Sequence, residues 1–278
     1  MQVGLLTARY RSDTMDTIID FAAEAGFDAL EVDVRPGCEH LNVEMDPGEA
    51  ADIVAQVRDA GLEISQMSCF LDISDPDEAE RKKNQDALRA AVELASANGV
   101  QNVGCLAGKP CGEMSREETI DEIAAPFYNE LCPEAADRGV RFAMENWFAT
   151  NIMHLGQWEH IFEAVPHENF GLNFDPSHLF HQQIDYLHAV EVFSDRIFHT
   201  HAKDTEIVEH TLSWYGNRDE RSWWRYVIPG FGEIDWGVYI ARLRDNDFDG
   251  TLSIEHEDRA LGREEGFAKG LNYLRLFA

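Results

Sequence analysis

Ala25-Gly26-Phe27-Asp28-Ala29-Leu30-Glu31-Val32-Asp33 runs from the end of an amphipathic stretch, through a glycine, into a short apolar segment. The same junction returns at Ala60-Gly61-Leu62-Glu63, Asn98-Gly99-Val100 and Arg138-Gly139-Val140. Glycine suits a helix C′ position at positive φ, so each junction reads as the connection from a helix to a following strand. Working outward by hydrophobic period, strands are predicted near 2–6, 28–33, 62–68, 101–106, 140–145, 170–174, 196–201 and 250–255. Helices are predicted near 13–25, 47–60, 77–98, 116–138, 155–163, 179–191, 235–245 and 263–276. Several of them open on N-cap residues such as Asp13, Ser115 and Asp235.

Eight strand–helix units in 278 residues predict an α/β chain folded as a single (β/α)8 TIM barrel domain over 1–278. A doubly wound open sheet is the alternative. The number of strands and the lack of a Gly-x-Gly-x-x-Gly loop after the first one count against it. The rhythm breaks once, with a long lid-like loop at about 204–232 that holds Trp214, Trp223, Trp224 and Tyr226; unstructured segments of such length are uncommon in compact domains and usually functional.

Fifty-two acidic against 23 basic residues give a formal charge of −29, which repels nucleic acid and anionic membranes. Neither is an expected partner. Lysines are few (Lys82, Lys83, Lys109, Lys203 and Lys269), and the acid excess is spread along every helix, as in a protein kept soluble in concentrated salt. A halophilic source is the expectation. Met1-Gln2-Val3-Gly4-Leu5-Leu6-Thr7 reads as a strand and not as a secretory leader, and no apolar run is long enough to cross a bilayer, so a soluble cytoplasmic protein is expected. Cys38, Cys69, Cys105, Cys111 and Cys132 form no Cys-x-x-Cys pair and are read as reduced.

In a barrel, side chains at the C-terminal strand ends converge on one mouth. Four strands end there in metal-binding residue types: Phe142-Ala143-Met144-Glu145-Asn146, Leu172-Asn173-Phe174-Asp175-Pro176-Ser177-His178, Phe198-His199-Thr200-His201-Ala202-Lys203-Asp204 and Ser253-Ile254-Glu255-His256-Glu257. An apolar strand ending in a carboxylate is costly unless the charge is paired or bound to a cation. Three carboxylates with one imidazole suit one divalent metal ion, Mn²⁺ or Mg²⁺ first, with Co²⁺ or Zn²⁺ allowed by the histidine. His199 shares a strand face with His201, and spacing alone does not choose between them. Glu257 is read as outlying or solvated.

These strand ends, together with the His201-Ala202-Lys203-Asp204 run and Pro229-Gly230-Phe231-Gly232-Glu233-Ile234-Asp235-Trp236, resemble the xylose isomerase-like TIM barrel superfamily, in particular its sugar phosphate isomerase/epimerase branch. The resemblance covers nearly the whole chain. It implies that Glu145, Asp175, His201 and Glu255 bind the metal, that Glu145 and Glu255 are the catalytic pair, and that His178, Lys203 and Arg225 face the substrate. The implied activity is a sugar isomerase or epimerase working by proton transfer through a metal-stabilised enediolate on a ketose or keto-sugar.

A lyase or dehydratase acting on an inositol-like or 3-keto sugar shares the same first step and is the alternative. Endonucleases of the same superfamily need extra histidines on early strands and a late Asp-x-His pair, which this sequence lacks. The expected partner is a small-molecule sugar, and self-association through lids or outer helices is compatible with the resemblance.

Overall fold

The computed structural model describes residues 1–278. Ten strands form: β1 Gln2–Leu6, β2 Ala29–Asp33, β3 Glu63–Ser68, β4 Asn102–Leu106, β5 Arg141–Glu145, β6 Phe170–Phe174, β7 Ile197–Ala202, β8 Asp204–Ile207, β9 Trp224–Val227 and β10 Thr251–Ile254. Eight of them close a parallel barrel in the order β1-β10-β7-β6-β5-β4-β3-β2, and β8 pairs with β9 outside it. Each barrel strand lies within one residue of its predicted bounds, because short runs of branched and apolar residues, four of them after a helix-ending glycine, leave little freedom for the strand limits. Gly26, Gly61, Gly99 and Gly139 all have φ between 65° and 88°, as the helix-to-strand junctions require. The main core is one continuous cluster of apolar side chains from strands and helices.

Three expectations are corrected. Asp13 caps no helix: the first one, Met15–Ala25, has Thr14 at its N-cap, and the Asp13 carboxylate is taken by Arg263 at 2.7 Å. The helix predicted over 116–138 is interrupted by a π-turn at Ile120–Ala124. Pro126 follows that turn and cannot supply the N–H that an unbroken α-helix would use there. The helix predicted near 179–191 starts earlier, at Pro176, and is split into Pro176–Phe180 and Tyr186–Val192. Gln183, at φ 61°, turns the chain between the two halves. Ser115 and Asp235 cap their helices as expected.

The 204–232 segment has structure of its own. Its ends pair antiparallel as β8 and β9, with Asp204 opposite Val227, Thr205 opposite Tyr226 and Glu206 opposite Arg225, and a short helix Glu209–Tyr215 lies between them. Asp204 pins the base. Its buried carboxylate accepts hydrogen bonds from Thr205, Gly230, Gly232 and Ile234 backbone N–H groups and from Trp236 Nε1, at 2.8–3.2 Å. A Cβ on Gly232 would lie 2.4 Å from Asp204 Oδ1, so the 229–236 motif is built to wrap this carboxylate.

Candidate metal centre and its surroundings

Glu145 is the last residue of β5, Asp175 and Glu255 immediately follow β6 and β10, and His201 is the penultimate residue of β7. Each offers one ligand atom, and these atoms lie within 4.8 Å of one another. His201 Nδ1 is 3.4 Å from Glu145 Oε1, 3.3 Å from Glu255 Oε2 and 3.9 Å from Asp175 Oδ2. Three of the four side chains are buried, and Glu255 is partly exposed toward the mouth.

Local sequence explains how Asp175 is aimed. Its Oδ1 caps the helix that begins at Pro176 by accepting from Ser177 N–H at 2.8 Å, while Pro176 needs no donor partner at that position. Asn146 grips the Asp175 backbone on both sides, accepting from its N–H at 2.7 Å and donating to its carbonyl at 2.9 Å. Oδ2 is thereby left without a hydrogen-bond partner although buried, and so is His201 Nδ1. A buried carboxylate oxygen and a ring nitrogen without hydrogen-bond partners, converging with two more carboxylates, form a donor set that fits a cation.

Beside these four, Lys203 Nζ sits 2.5 Å from Glu255, 3.2 Å from Asp175 and 3.3 Å from Glu257, with 2% of the side chain exposed. Burial would lower its pKa, but the surrounding carboxylates, Asp175 and Glu255 foremost, outweigh that and raise it well above the usual lysine value. Burial likewise pushes Glu255 up, yet Lys203 and His201 bring it down to about 2. Glu145 is also held below the ordinary range, its burial outweighed by the His178 and His201 rings beside it.

His178 joins the same group: Nε2 is 3.2 Å from Glu145 Oε1 and 3.4 Å from Asp175 Oδ2. Its other ring nitrogen, Nδ1, is 2.6 Å from the Tyr226 hydroxyl on the lid strand β9. The structure thus brings Glu145, Asp175, His178, His201, Lys203 and Glu255 together. Arg225 is not among them. Strand alternation turns Trp224 and Tyr226 inward, while the Arg225 guanidinium is engaged by Glu206 and Asp258 at 2.5 and 3.1 Å. Of the three tryptophans in the segment, Trp224 stacks on His181 with centroids 3.9 Å apart and Trp214 is 80% exposed.

Two residues have contacts at the site that the sequence reading did not assign. Tyr226 needs the β8–β9 register to be recognised. Glu31, fully buried on β2, reaches across the barrel to His201 Nε2 at 3.1 Å. It could have been noticed as a carboxylate inside a strand otherwise entirely buried. His199 lies deeper, with Nε2 3.0 Å from Ser65 Oγ and Nδ1 3.1 Å from Asn173 Oδ1, and burial lowers its pKa to about 4. Of the two histidines on β7, His201 is the one at the cluster.

The xylose isomerase-like TIM barrel family model matches residues 19–277. The chain belongs to the xylose isomerase-like TIM barrel family. Among curated members it is 27% identical to the inosose dehydratase of Histophilus somni, over 69% of this chain and 72% of that protein. Among solved structures, the 3-keto-D-glucoside 4-epimerase YcjR of Escherichia coli superimposes with a TM-score of 0.78 at 16% identity, covering 99% of both chains. The IolI protein, crystallised with a zinc atom, gives a TM-score of 0.77 at 17% identity over 100% of this chain and 99% of its own. These xylose isomerase-like relatives include both dehydratases and epimerases, and the site described here is able to hold a metal ion.

Proposed function

We propose that this chain is a metal-dependent dehydratase of a cyclic keto-polyol or keto-sugar, removing a proton next to a keto group and expelling the hydroxyl one carbon further on. Glu145, Asp175, His201 and Glu255 are assigned as metal ligands, with Mn²⁺ or Mg²⁺ favoured by three carboxylates and Zn²⁺ or Co²⁺ by the imidazole. A divalent ion held there supplies Lewis-acid polarisation of the keto oxygen, which acidifies the neighbouring C–H bond.

The single observation that carries the choice is the unequal setting of the two glutamates. Glu255 is paired with an ammonium 2.5 Å away, whereas Glu145 has beside it an imidazole, His178, that can relay a proton. Glu145 is therefore assigned to take the carbon-bound proton. The electron pair of that C–H bond becomes the new C–C π bond, and the β C–O pair leaves with the hydroxyl. His178 stands beside Glu145 with the Tyr226 hydroxyl on its far nitrogen, positioned to hand a proton to the departing oxygen, so that the products are the unsaturated ketone and one water. Lys203 is assigned to orient a substrate oxygen and to hold Glu255 ionised. Arg225, bound to Glu206 and Asp258, is assigned to lid closure in place of substrate contact. The likeness to inosose dehydratase supports this reading.

Epimerisation is the second reading. It is favoured by Glu145 and Glu255 offering carboxylates to one common point, as a proton exchange between two faces of one carbon requires, and by the likeness to YcjR. Incubating the metal-loaded protein with keto-inositols and 3-keto-glycosides in H₂O and D₂O separates the two. Loss of one water by mass spectrometry is the expected result. An isomer of unchanged mass carrying one deuterium would replace the first reading by the second, and absence of both water loss and exchange would remove both.

A further inference from the structure

The barrel interior below the cluster is polar, which is unexpected for a layer that is usually packed with branched aliphatic side chains. Its centre is Glu31. The carboxylate is inaccessible to solvent and is held by two neighbours on β3, Gln66 Nε2 at 2.9 Å and Ser68 Oγ at 2.5 Å, both on Oε1. Gly104 on β4 leaves the room they occupy: a Cβ there would come within 2.6 Å of both the Gln66 amide nitrogen and the Ser68 hydroxyl. A carboxylate built into the barrel at such cost calls for a partner. The partner on the far side is His201, whose Nε2 lies 3.1 Å from Glu31 Oε1, while Nδ1 of the same ring faces Glu145, Asp175 and Glu255.

We propose that Glu31 is a positioning residue for the metal centre, fixing the ring of His201 with the proton on Nε2 and the lone pair of Nδ1 directed at the ion. With Nδ1 on the ion, the proton of a neutral ring belongs on Nε2, facing Glu31. A lone pair on Nε2 would point at a carboxylate oxygen 3.1 Å away, which is repulsive, whereas an Nε2–H donates to it. As placed, the Asn173 amide nitrogen lies 2.8 Å from the same ring nitrogen and its oxygen 3.1 Å from His199 Nδ1; turning the amide over exchanges the two and gives an Nε2–H the oxygen as acceptor. Turned that way, the amide nitrogen donates to His199 Nδ1, His199 Nε2–H donates to Ser65 Oγ, and Ser65 donates to the Leu30 carbonyl at 3.3 Å. Every donor in that chain then meets an acceptor. Carboxylate, imidazole and ion in line also make the histidine a stronger ligand, and loss of such outer partners costs about 10–100-fold in metal affinity.

This inference rests on reading the four-residue cluster as a metal site, and the experiment separates the two. Zinc affinity is measured by chelator competition for the wild type and for Glu31→Gln, and the zinc-loaded proteins, labelled with ¹⁵N-histidine, are examined for a slowly exchanging, downfield imidazole N–H on Nε2. The wild type is expected to bind zinc and show that proton. Glu31→Gln is expected to bind about 10–100-fold more weakly, with the proton shifted upfield, and with an unchanged far-ultraviolet circular dichroism spectrum. A wild type that takes no zinc removes the metal site itself. Zinc binding with equal affinity in the variant, or a wild type whose ring proton is on Nδ1, overturns the role of Glu31 alone. Should the variant not fold, the ring proton of the wild type still decides.

Discussion

Lys203 Nζ lies 2.5 Å from Glu255 Oε2 and 4.5 Å from the centroid of the Tyr226 ring, so one ammonium links a strand-end carboxylate of the barrel to the lid. It is also the one cation among Asp175, Glu255 and Glu257 in the metal-free protein apart from the histidines. Removing it leaves buried like charges facing one another. For Lys203→Met we expect the metal-free protein to lose about 3–5 kcal/mol, the scale on which breaking a buried ion pair destabilises, and the metal-loaded protein to lose much less, because the ion supplies the missing positive charge. Paired denaturant titrations with EDTA and with Mn²⁺ test this. An equal loss in both conditions would show that the ammonium does not share the carboxylates with a metal.

The hydroxyl of Tyr226 reaches the cluster only through His178, at 2.6 Å. Tyr226→Phe keeps the ring over Lys203 and deletes the proton partner. Turnover is expected to fall by about 10²–10³, within the usual contribution of a general acid–base group, with metal affinity and KM nearly unchanged. A rise in KM with turnover intact would instead assign the hydroxyl to substrate binding.

The sequence made the barrel readable because its signals are local: a glycine at four of the helix-to-strand junctions, and runs of buried branched residues for the strands. The three carboxylates of the candidate site were readable because a carboxylate at the end of such a run is anomalous wherever it occurs, whereas His201 was preferred to His199 only through the family resemblance. Arg225 and Tyr226 show where this stops. They are adjacent, and a one-residue difference in register exchanges the two faces of β9. That register is set by pairing with β8 across an intervening helix, Thr205 to Tyr226 and Glu206 to Arg225, which no local pattern encodes. Glu31 fails differently. Its role depends on His201, 170 positions away in sequence and joined only by closure of the barrel.

The 204–232 segment depends on Asp204 at its base. Four backbone N–H groups and the Trp236 indole converge on this one carboxylate, and each buried donor left unpaired costs about 1–3 kcal/mol. Asp204→Ala is therefore expected to loosen the 204–232 segment before the barrel unfolds. Limited proteolysis should cut within 208–223 at least tenfold faster than in the wild type, with far-ultraviolet circular dichroism preserved. Cleavage at an unchanged rate would mean that the β8–β9 pairing holds the lid without its anchor.

Acid stability has a separate source at the end of β2, where Asp33 accepts two hydrogen bonds from the Arg35 side chain, at 2.8 and 2.6 Å. Burial alone would raise the Asp33 pKa, but the hydrogen bonds and charge of Arg35 outweigh it and hold the group below its ordinary 3.8. A depressed carboxylate stabilises the fold fully above its unfolded value and loses that contribution as pH falls through the folded one. Wild-type stability is accordingly expected to decline below about pH 4 in part through this pair. In Asp33→Asn the decline should be shallower, starting from a protein already weakened at pH 7 because Arg35 has lost its charged partner. Melting temperatures of both proteins between pH 3 and pH 7, measured with EDTA present so that metal release does not contribute, give the comparison. Parallel curves would show that Asp33 titrates alike in the folded and unfolded chain, and that the acid limb arises elsewhere.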